Sequence, residues 1–138
     1  MRFVLDSNMV IAALNGRASV VEHLARIAAL DVGIPVVVVG ELVYGAHRSR
    51  RKRENLGRIA RLTRSFRVLN VNRAIVERYG AIRAALQSKG ITKSDFDLVI
   101  ACTALEHEAV LVTDDGGLLD GSVQGLRVDN WLERARGT

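Results

Sequence analysis

Apolar and polar positions alternate along this chain with two different periods. Short apolar runs, rich in β-branched residues, are typical of buried strands and stand at 2–5, 31–34, 67–71, 109–112 and 126–128. Apolar residues at helical spacing predict helices at 9–14, 19–30, 50–65, 73–88 and 94–106, and a last helix capped by Asp129 through Trp131 and Leu132. Strands that alternate with helices predict an α/β fold with a parallel sheet and right-handed crossovers.

The valine run at 36–39 fits two kinds of element. Its composition is typical of a strand, but Pro35 before it suits the first position of a helix. The residues at 41–44 then continue with helical spacing. We therefore predict a short strand to Ile34, followed by a helix that carries Glu41.

The composition indicates a packed domain without linkers or repeats. Apolar residues make up 49% of the 138 positions, which is enough to bury a core in one domain spanning 1–138. The single cysteine, Cys102, lies in an apolar stretch, so we predict a core residue and not a reactive thiol. Neither a secretory leader nor a membrane-length apolar run is visible, so we expect a cytoplasmic protein.

Positive charge is concentrated in one segment. The formal net charge is +5, and nine basic residues stand between Arg48 and Arg67 with Glu54 as the only acid among them. Such a basic stripe attracts phosphate backbones, in part by releasing their counterions. The alternative is a solvated helix face that aids solubility. We predict nucleic-acid contacts at four consecutive residues: Arg50, Arg51, Lys52 and Arg53.

Four carboxylates stand at the ends of apolar runs that are far apart in the chain. Asp6, Glu41 and Asp115 each follow such a run, and Asp97 opens one. Residues just past the ends of parallel strands gather along one edge of the sheet. Four acids together there can all stay ionised if a hard cation such as Mg²⁺ or Mn²⁺ lies among them. The pattern therefore predicts metal-assisted chemistry on phosphate.

Each acid also has a purely structural interpretation. Asp6 could cap the helix that follows it, and Asp97 could be a first-turn acid favoured by the helix dipole. The sequence around Asp115 is favourable for a turn. Glu41 fits a structural role least, because it follows a run of apolar residues and an unpaired buried glutamate is costly. The four acids together favour the metal site.

Four motifs and the end of the chain resemble a known family. They stand at 4–8 (VLDSN), 41–45 (ELVYG), 97–101 (DLVIA), 111–115 (LVTDD) and 125–131 (GLRVDNW). In this order and spacing they resemble the PIN-domain ribonucleases, specifically the VapC-type toxins of bacterial toxin–antitoxin pairs. The likeness covers nearly the whole chain. Each motif alone is weak, while five in order are specific.

The resemblance implies a three-layer α/β/α sandwich with a mainly parallel sheet. It also implies a symmetric homodimer and a Mg²⁺- or Mn²⁺-dependent endoribonuclease that blocks translation until a cognate antitoxin protein inhibits it. By position, the four acids of the family match Asp6, Glu41, Asp97 and, as the more variable fourth, Asp115. The polar residues that accompany these acids match Ser7, Asn8 and Thr113.

The chain departs from the pattern of this family at two positions. The family often has Asn where this chain has Asp114, so Asp114 and Asp115 compete for the role of fourth acid. It usually has Phe at the position of Leu119, which we expect to affect packing more than chemistry. Asp95 is an extra acid, about 200° from Asp97 around a helix. We interpret Asp95 as a helix cap or an outer residue of the site.

Two other functions compete with RNA hydrolysis. A non-catalytic or DNA-directed nucleic-acid-binding protein, acting with a partner, would also use the basic segment, although spare carboxylates repel phosphate without a metal. A phosphoryl-transfer enzyme with Asp6 as nucleophile is weakened by Asn8, because the usual Asp-x-Asp pattern has an acid there. We favour hydrolysis of RNA by a metal-activated water. Asp6 and Asp97 are then inner ligands, and Glu41 and Asp115 hold or orient water.

Overall fold

A five-stranded parallel sheet runs through the protein in a computed structural model that describes residues 1–132. Its strands are β1 (Phe3–Leu5), β2 (Val32–Pro35), β3 (Arg67–Leu69), β4 (Val110–Val112) and β5 (Val128–Asp129). They lie in the order β3-β2-β1-β4-β5, and every neighbouring pair is parallel. The predicted parallel α/β fold is confirmed.

Seven α-helices connect and flank these strands within residues 1–132. They are α1 (Ser7–Leu14), α2 (Ala18–Ala25), α3 (Val36–Arg48), α4 (Lys52–Ser65), α5 (Arg73–Ser88), α6 (Asp95–Glu106) and α7 (Gly116–Leu119). The valine run is helical, as predicted from Pro35: β2 ends at Pro35 and α3 begins at the next residue. No helix in this part of the chain is both long and apolar enough to cross a membrane.

The strand order creates a crevice where β1 and β4 lie side by side. The chain first builds outward from β1 to β3 and then returns to add β4 and β5 on the other side. In an open parallel sheet, the crevice at such a reversal lies outside the carboxyl ends of the strands. Leu5 pairs with Val112 in the shared register. Asp6 and Thr113 therefore leave the sheet next to each other.

The core consists of apolar side chains from the strands and the inner helix faces. Val4 is fully buried, and burying a side chain of this size contributes about 1.5–3 kcal/mol. Cys102 is also buried, as predicted, and desolvation raises the pKa of its thiol to about 11. Trp131 packs edge-on against Phe3, with 5.3 Å between ring centroids, and stacks on His23 at 4.8 Å. These contacts tie the segment after β5 to β1 and α2.

The helix predicted at 19–30 was too long. Helix α2 ends at Ala25, and Ala29–Asp31 forms a separate 3₁₀ turn. The reason is tertiary: the backbone N–H of Arg2 donates to the carbonyl of Asp31 at 2.9 Å, because the chain is entering the sheet as β2 there. Sheet pairing outweighs the helical spacing of the local apolar residues.

Other predicted bounds differ by a few residues. The strands predicted at 67–71 and 126–128 are β3 and β5, which end at Leu69 and Asp129. Helix α1 begins two residues earlier than predicted, and α4 begins at Lys52 because residues 49–51 form the turn that follows α3. Helix α7 was predicted only as a turn. Residues 131 and 132 form a turn, and the rest of the predicted last helix lies outside the described residues.

Candidate active site

Asp6 lies in the crevice, between the end of β1 and the first turn of α1. Its Oδ1 accepts a hydrogen bond from the backbone N–H of Ser7, and its Oδ2 accepts one from the Thr113 hydroxyl, both at 2.7 Å. Its side chain is 6% exposed, and this burial raises the pKa of the Asp6 carboxyl above 3.8. The two hydrogen bonds oppose that rise, while the charges of Glu41 and Asp115 add to it.

Thr113 connects two of the acids through a single oxygen. This fully buried hydroxyl donates to Asp6 and accepts the backbone N–H of Asp115 at 3.0 Å. Asp115 in turn caps α7, since its Oδ1 accepts the N–H of Gly117 at 2.8 Å. The ends of β1 and β4 are thus joined to the start of α7 by side-chain hydrogen bonds.

Glu41 reaches the crevice from α3 and not from the end of a strand. The helix begins directly after β2, and Glu41 stands in its second turn with buried Val38 and Leu42 on the same helix. The Ser7 hydroxyl donates to Glu41 Oε1. Glu41 therefore stands on a helix, as predicted from Pro35, and not at the end of a strand.

Asp97 approaches from the first turn of α6. The Ser94 hydroxyl accepts the Asp97 N–H at 3.1 Å and so caps this helix. Burial raises the pKa of the Asp97 carboxyl, the hydrogen bond with Ser94 lowers it, and the charges of Asp115 and Asp6 raise it further. Asp97 is therefore electrostatically coupled to two of the other acids.

Asp95 does not belong to this group. The Tyr79 hydroxyl donates to Asp95 Oδ1 at 2.7 Å, and Arg83 forms an ion pair with the same oxygen at 3.4 Å. Asp95 is thus turned toward α5, away from Asp97. The interpretation of Asp95 as a cap is wrong, because Ser94 supplies the cap.

The four acids suit a hard cation in charge and chemistry. Within residues 1–132, none of Asp6, Glu41, Asp97 and Asp115 forms a salt bridge with a basic side chain. Their carboxylate oxygens are the ligands that Mg²⁺ and Mn²⁺ prefer. As they stand, no three His, Cys, Asp or Glu side chains of the described chain form a ready ligand set. Binding a metal would therefore require side-chain rearrangement, because hydrogen bonds hold Glu41 to Ser7 and Asp115 to Gly117.

The predicted basic segment is exposed beside the turn between α3 and α4. The side chains of Arg51 and Glu54 form an exposed i,i+3 ion pair at 3.8 Å, a kind of contact that contributes little. Arg58, further along α4, behaves differently: it is half-buried and donates to the carbonyl of Leu14 and, at 3.4 Å, to Asn55. All four predicted residues are exposed: Arg50, Arg51, Lys52 and Arg53.

An apolar groove opens next to Glu41, between α1, α3 and α4. It encloses about 190 Å³. Its apolar wall consists of Ile11, Leu14, Leu42, Ala46 and Ile59. Its polar lining consists of Asn15, Asn55, Arg58 and Glu41. The groove thus borders Glu41, one of the four acids.

Comparison with known proteins places this architecture in a family. The family model described as "PIN domain" matches residues 3–123. The chain belongs to the PIN-domain family. It is 29% identical to "tRNA(fMet)-specific endonuclease VapC" of Shigella flexneri over 131 residues, 95% of this chain and 98% of the relative. It is 30% identical to "Ribonuclease VapC1" of Haemophilus influenzae over 115 residues, 82% and 86% of the two chains.

Solved toxin–antitoxin complexes contain chains of the same fold. The match to the DNA-bound VapBC of Salmonella typhimurium has a TM-score of 0.88 and 26% identity, and covers 95% of this PIN domain and 98% of that chain. The match to VapBC2 of Rickettsia felis, bound to a promoter DNA fragment, has a TM-score of 0.86 and 26% identity, with 95% and 99% covered. The resemblance predicted from the motifs is confirmed.

Within this PIN domain, the two adjacent acids at the end of β4 have different surroundings. Asp114 accepts a hydrogen bond from the Asn8 side-chain amide at 3.1 Å on the exposed rim. Asp115 raises the pKa of both Asp6 and Asp97, which shows that its charge lies near both. This difference favours Asp115 as the fourth acid, with Asp114 and Asn8 as rim residues.

The sequence did not reveal one residue that organises this site. The Lys93 ammonium donates to the carbonyl of Gly117 and to Asp120 Oδ2, the latter at 3.1 Å, and its side chain is only 6% exposed. Lys93 thereby fastens α7, and with it Asp115, to the segment before α6. A single lysine among polar residues has no period or motif, so its partners follow only from the folded chain.

Proposed function

We propose that this PIN domain is the toxin of a VapBC-type toxin–antitoxin pair and cleaves RNA phosphodiester bonds with Mg²⁺ or Mn²⁺. The VapC ribonuclease relatives and the matched VapBC complexes support a toxin endoribonuclease. One observation supports the metal dependence: four acids lie beside one crevice, and none of them pairs with a basic side chain within residues 1–132. Burial and neighbouring acids also raise the pKa of Asp6 and Asp97. A divalent cation would balance that concentrated charge.

The proposed mechanism assigns a task to each acid. A bound Mg²⁺ or Mn²⁺ supplies a water of lowered pKa and a positive charge beside the phosphate. Asp6 and Asp97 would hold the ion, and Thr113 with the Ser7 N–H fixes the orientation of Asp6. Glu41 and Asp115 would accept hydrogen bonds from water in the crevice and would orient the attacking water molecule. Without the ion, Ser7 holds Glu41 and the Gly117 N–H holds Asp115 beside the crevice.

The exposed basic segment is the proposed entry surface for RNA. Its four cations lie on the turn after α3 and at the start of α4. Because α3 carries Glu41, phosphates bound there would lead toward the acids. Attraction of this kind is independent of sequence and weakens as salt rises. An RNA substrate also implies action in the cytoplasm, as predicted from the sequence.

We further propose that the cognate antitoxin inserts a segment into the groove beside Glu41. The groove lining is mostly apolar and includes the Glu41 carboxylate, while Arg58 already donates to Leu14 and Asn55. Such a lining suits a peptide with apolar side chains and one basic residue. Such a segment would cover the approach to the acids. Loss of antitoxin binding in Ile11→Glu, a change at an exposed residue of the groove wall, with RNA cleavage retained would support this location, and unchanged antitoxin binding would contradict it.

A homodimer is the proposed assembly. Several helices expose large apolar side chains, including Ile11, Val21, Val76 and Phe96, each more than 40% exposed in the isolated chain. An interface between two copies would cover some of these side chains. Sedimentation at micromolar concentration should show a dimer, and a monomer alone would contradict the proposal.

The nuclease assay that tests the activity uses one sequence made as RNA and as single-stranded DNA. We expect the RNA to be cut in Mg²⁺ or Mn²⁺ and to stay intact in EDTA. Binding of either strand without cleavage in any metal would instead support the non-catalytic nucleic-acid-binding protein. That second candidate rests on the same basic segment.

A further inference from the structure

One face of α3 carries a line of residues from the acids to the basic segment. Glu41, Tyr44, Gly45 and Arg48 fall within a sector of about 100° around the helix axis, given 3.6 residues per turn. Glu41 lies at the crevice end of this line, and Arg48 is the last residue of the helix. The basic residues at 50–53, here called the basic turn, follow Ser49 and lie on the turn after α3 and the first residues of α4.

Tyr44 is the most exposed aromatic side chain in the described part of the chain, at 63%. Arg48 holds the ring: its guanidinium donates to the Tyr44 hydroxyl at 3.0 Å, and its Cζ lies 5.6 Å from the ring centroid. A tyrosine fixed in this way has few side-chain conformations to lose when a ligand packs on it. The pair forms a small, preorganised aromatic and cationic surface.

The surface around this pair is open. A methyl group built on Gly45 or on Gly40 would meet no heavy atom within 4 Å. No neighbouring side chain therefore fills the space over these two glycines, on the part of α3 that bears Glu41 and Tyr44. A flat ligand can lie there without displacing protein atoms.

We propose that Tyr44 and Arg48 form a subsite for single-stranded RNA, in which Tyr44 stacks on one unpaired nucleobase and Arg48 contacts an adjoining phosphate. This rests on the proposed ribonuclease function and adds the residues that place the strand next to the acids. A single strand is required because a paired base has no free face for the ring. Every base can stack on the ring to some degree, so this subsite would bind some bases more tightly than others without requiring a particular base.

Charge favours RNA over a second copy of this chain on this surface. Arg48 and the four basic residues of the turn complement phosphates. A two-fold interface centred on Tyr44 would instead bring these positive side chains toward their own copies, which is unfavourable.

The test is fluorescence anisotropy with a labelled single-stranded RNA, in an Asp97→Asn background so that the RNA stays intact. Tyr44→Ala should weaken binding about tenfold, the size expected when one stacked base is lost. Tyr44→Phe keeps the ring and should retain at least half of the affinity. Leu30→Ala removes another exposed apolar side chain, 74% exposed and before β2 at the opposite edge of the sheet, and serves as the matched control.

An abasic scan separates stacking from general damage. One nucleotide at a time is replaced by an abasic residue. At one position, this replacement should lower the affinity of the protein with Tyr44 by about the same factor as Tyr44→Ala lowers the affinity for intact RNA. On RNA that is abasic at that position, Tyr44→Ala should lower the affinity little further, because the base that the ring contacts is already missing. Arg48→Gln should lower affinity and reduce the salt dependence of binding.

Two outcomes would overturn this subsite. One is an unchanged RNA affinity in Tyr44→Ala, including the case in which only sedimentation or antitoxin binding changes. The other is that Tyr44→Ala lowers the affinity by the same factor for intact RNA and for RNA that is abasic at any position. Failure of the proposed function looks different: wild-type protein would then cleave no RNA in any divalent metal.

Discussion

The hydroxyl of Thr113 donates to Asp6 Oδ2 at 2.7 Å and so joins the ends of two adjacent strands, β4 and β1. The same oxygen accepts the N–H of Asp115, so one buried threonine sets the positions of two acids. Four carboxylates repel one another at this edge, and short polar side chains such as Ser7 and Thr113 hold them in place. These hydrogen bonds thus fix the acids beside the crevice, and Glu41 and Asp115 must rearrange to bind an ion.

Thr113→Val tests this arrangement by removing the hydroxyl while keeping the shape. The Asp115 N–H and Asp6 Oδ2 each lose a partner, so we expect a loss of about 1–3 kcal/mol in the free energy of unfolding. Cleavage should fall about 10- to 100-fold, as for groups that orient metal ligands. Thr113→Ser should restore most of both properties. Urea unfolding and initial cleavage rates measure them, and equal rates in the valine variant would contradict the role of Thr113.

The pH dependence of stability in the absence of metal tests the raised pKa of Asp6. The pKa of Asp6 in the folded protein lies above the unfolded value of 3.8. Ionisation of Asp6 therefore lowers the free energy of unfolding. This loss is absent below pH 3.8, grows as the pH rises through the raised folded-state pKa and is complete above that pKa. Asp6→Asn should therefore be more stable than wild type at pH 8 in EDTA. That advantage should shrink as the pH falls through the same window.

Asp120 provides the control of opposite sign. Hydrogen bonds from Ser122 and the contact with Lys93 lower the pKa of Asp120 to about 2. Its stabilising contribution is present above the unfolded value of 3.8 and is lost as the pH falls toward 2. Asp120→Asn should thus be less stable than wild type at pH 8. Melting temperatures over a pH series decide both cases, and parallel curves for Asp6→Asn and wild type would refute the Asp6 prediction.

The adjacent acids Asp114 and Asp115 should differ in their effect on cleavage. Asp115→Asn removes a charge near Asp6 and Asp97. We therefore expect the cleavage rate to fall at least about 100-fold, which is more than the loss of a residue that only orients a metal ligand would cause. Asp114→Asn keeps an oxygen that can accept the hydrogen bond from the Asn8 amide, so the cleavage rate should fall by less than about tenfold. Initial rates at saturating metal measure the difference. A larger loss in Asp114→Asn would reverse the assignment.

Neutralising the basic turn should weaken RNA binding and leave the chemical step unchanged. With all four residues at 50–53 replaced by Gln, affinity should fall about tenfold or more. The slope of log affinity against log salt should drop by about 0.7–0.9 for each lost contact. The matched control neutralises four exposed basic residues elsewhere: Arg17, Arg26, Arg73 and Lys89. Equal effects from both sets would indicate a general charge effect and a solubility face at 50–53.

The strands and most helices could be predicted because apolar periodicity records which side of each element is buried. Helix α5 is the clearest case: its bounds, Arg73–Ser88, match the predicted ones. The end of α2 could not be predicted, because the contact of Arg2 with Asp31 comes from sheet pairing between distant segments. Helix α7 has four residues, which is too short for a helical period to show.

The residue types of the candidate site were visible in the sequence, but its contacts were not. Acids near the strand ends predicted the crevice, since strand ends meet at one edge of a parallel sheet. The orientation of Asp95 depends on Tyr79 and Arg83 of another helix. Lys93 depends on a backbone carbonyl and on Asp120. Such long-range partners leave no local pattern.

Calorimetric titration of Mn²⁺, paired with RNA cleavage in the same buffer, tests most directly whether the four acids bind the ion that cleavage requires. Wild type should bind Mn²⁺ and cut RNA only when the ion is present. Asp97→Asn should bind the ion at least about tenfold more weakly and cut at least about 100-fold more slowly. Its melting temperature without metal should be equal to or higher than that of the wild type. Cleavage by wild type in EDTA, or full Mn²⁺ affinity and cleavage in Asp97→Asn, would contradict the metal site.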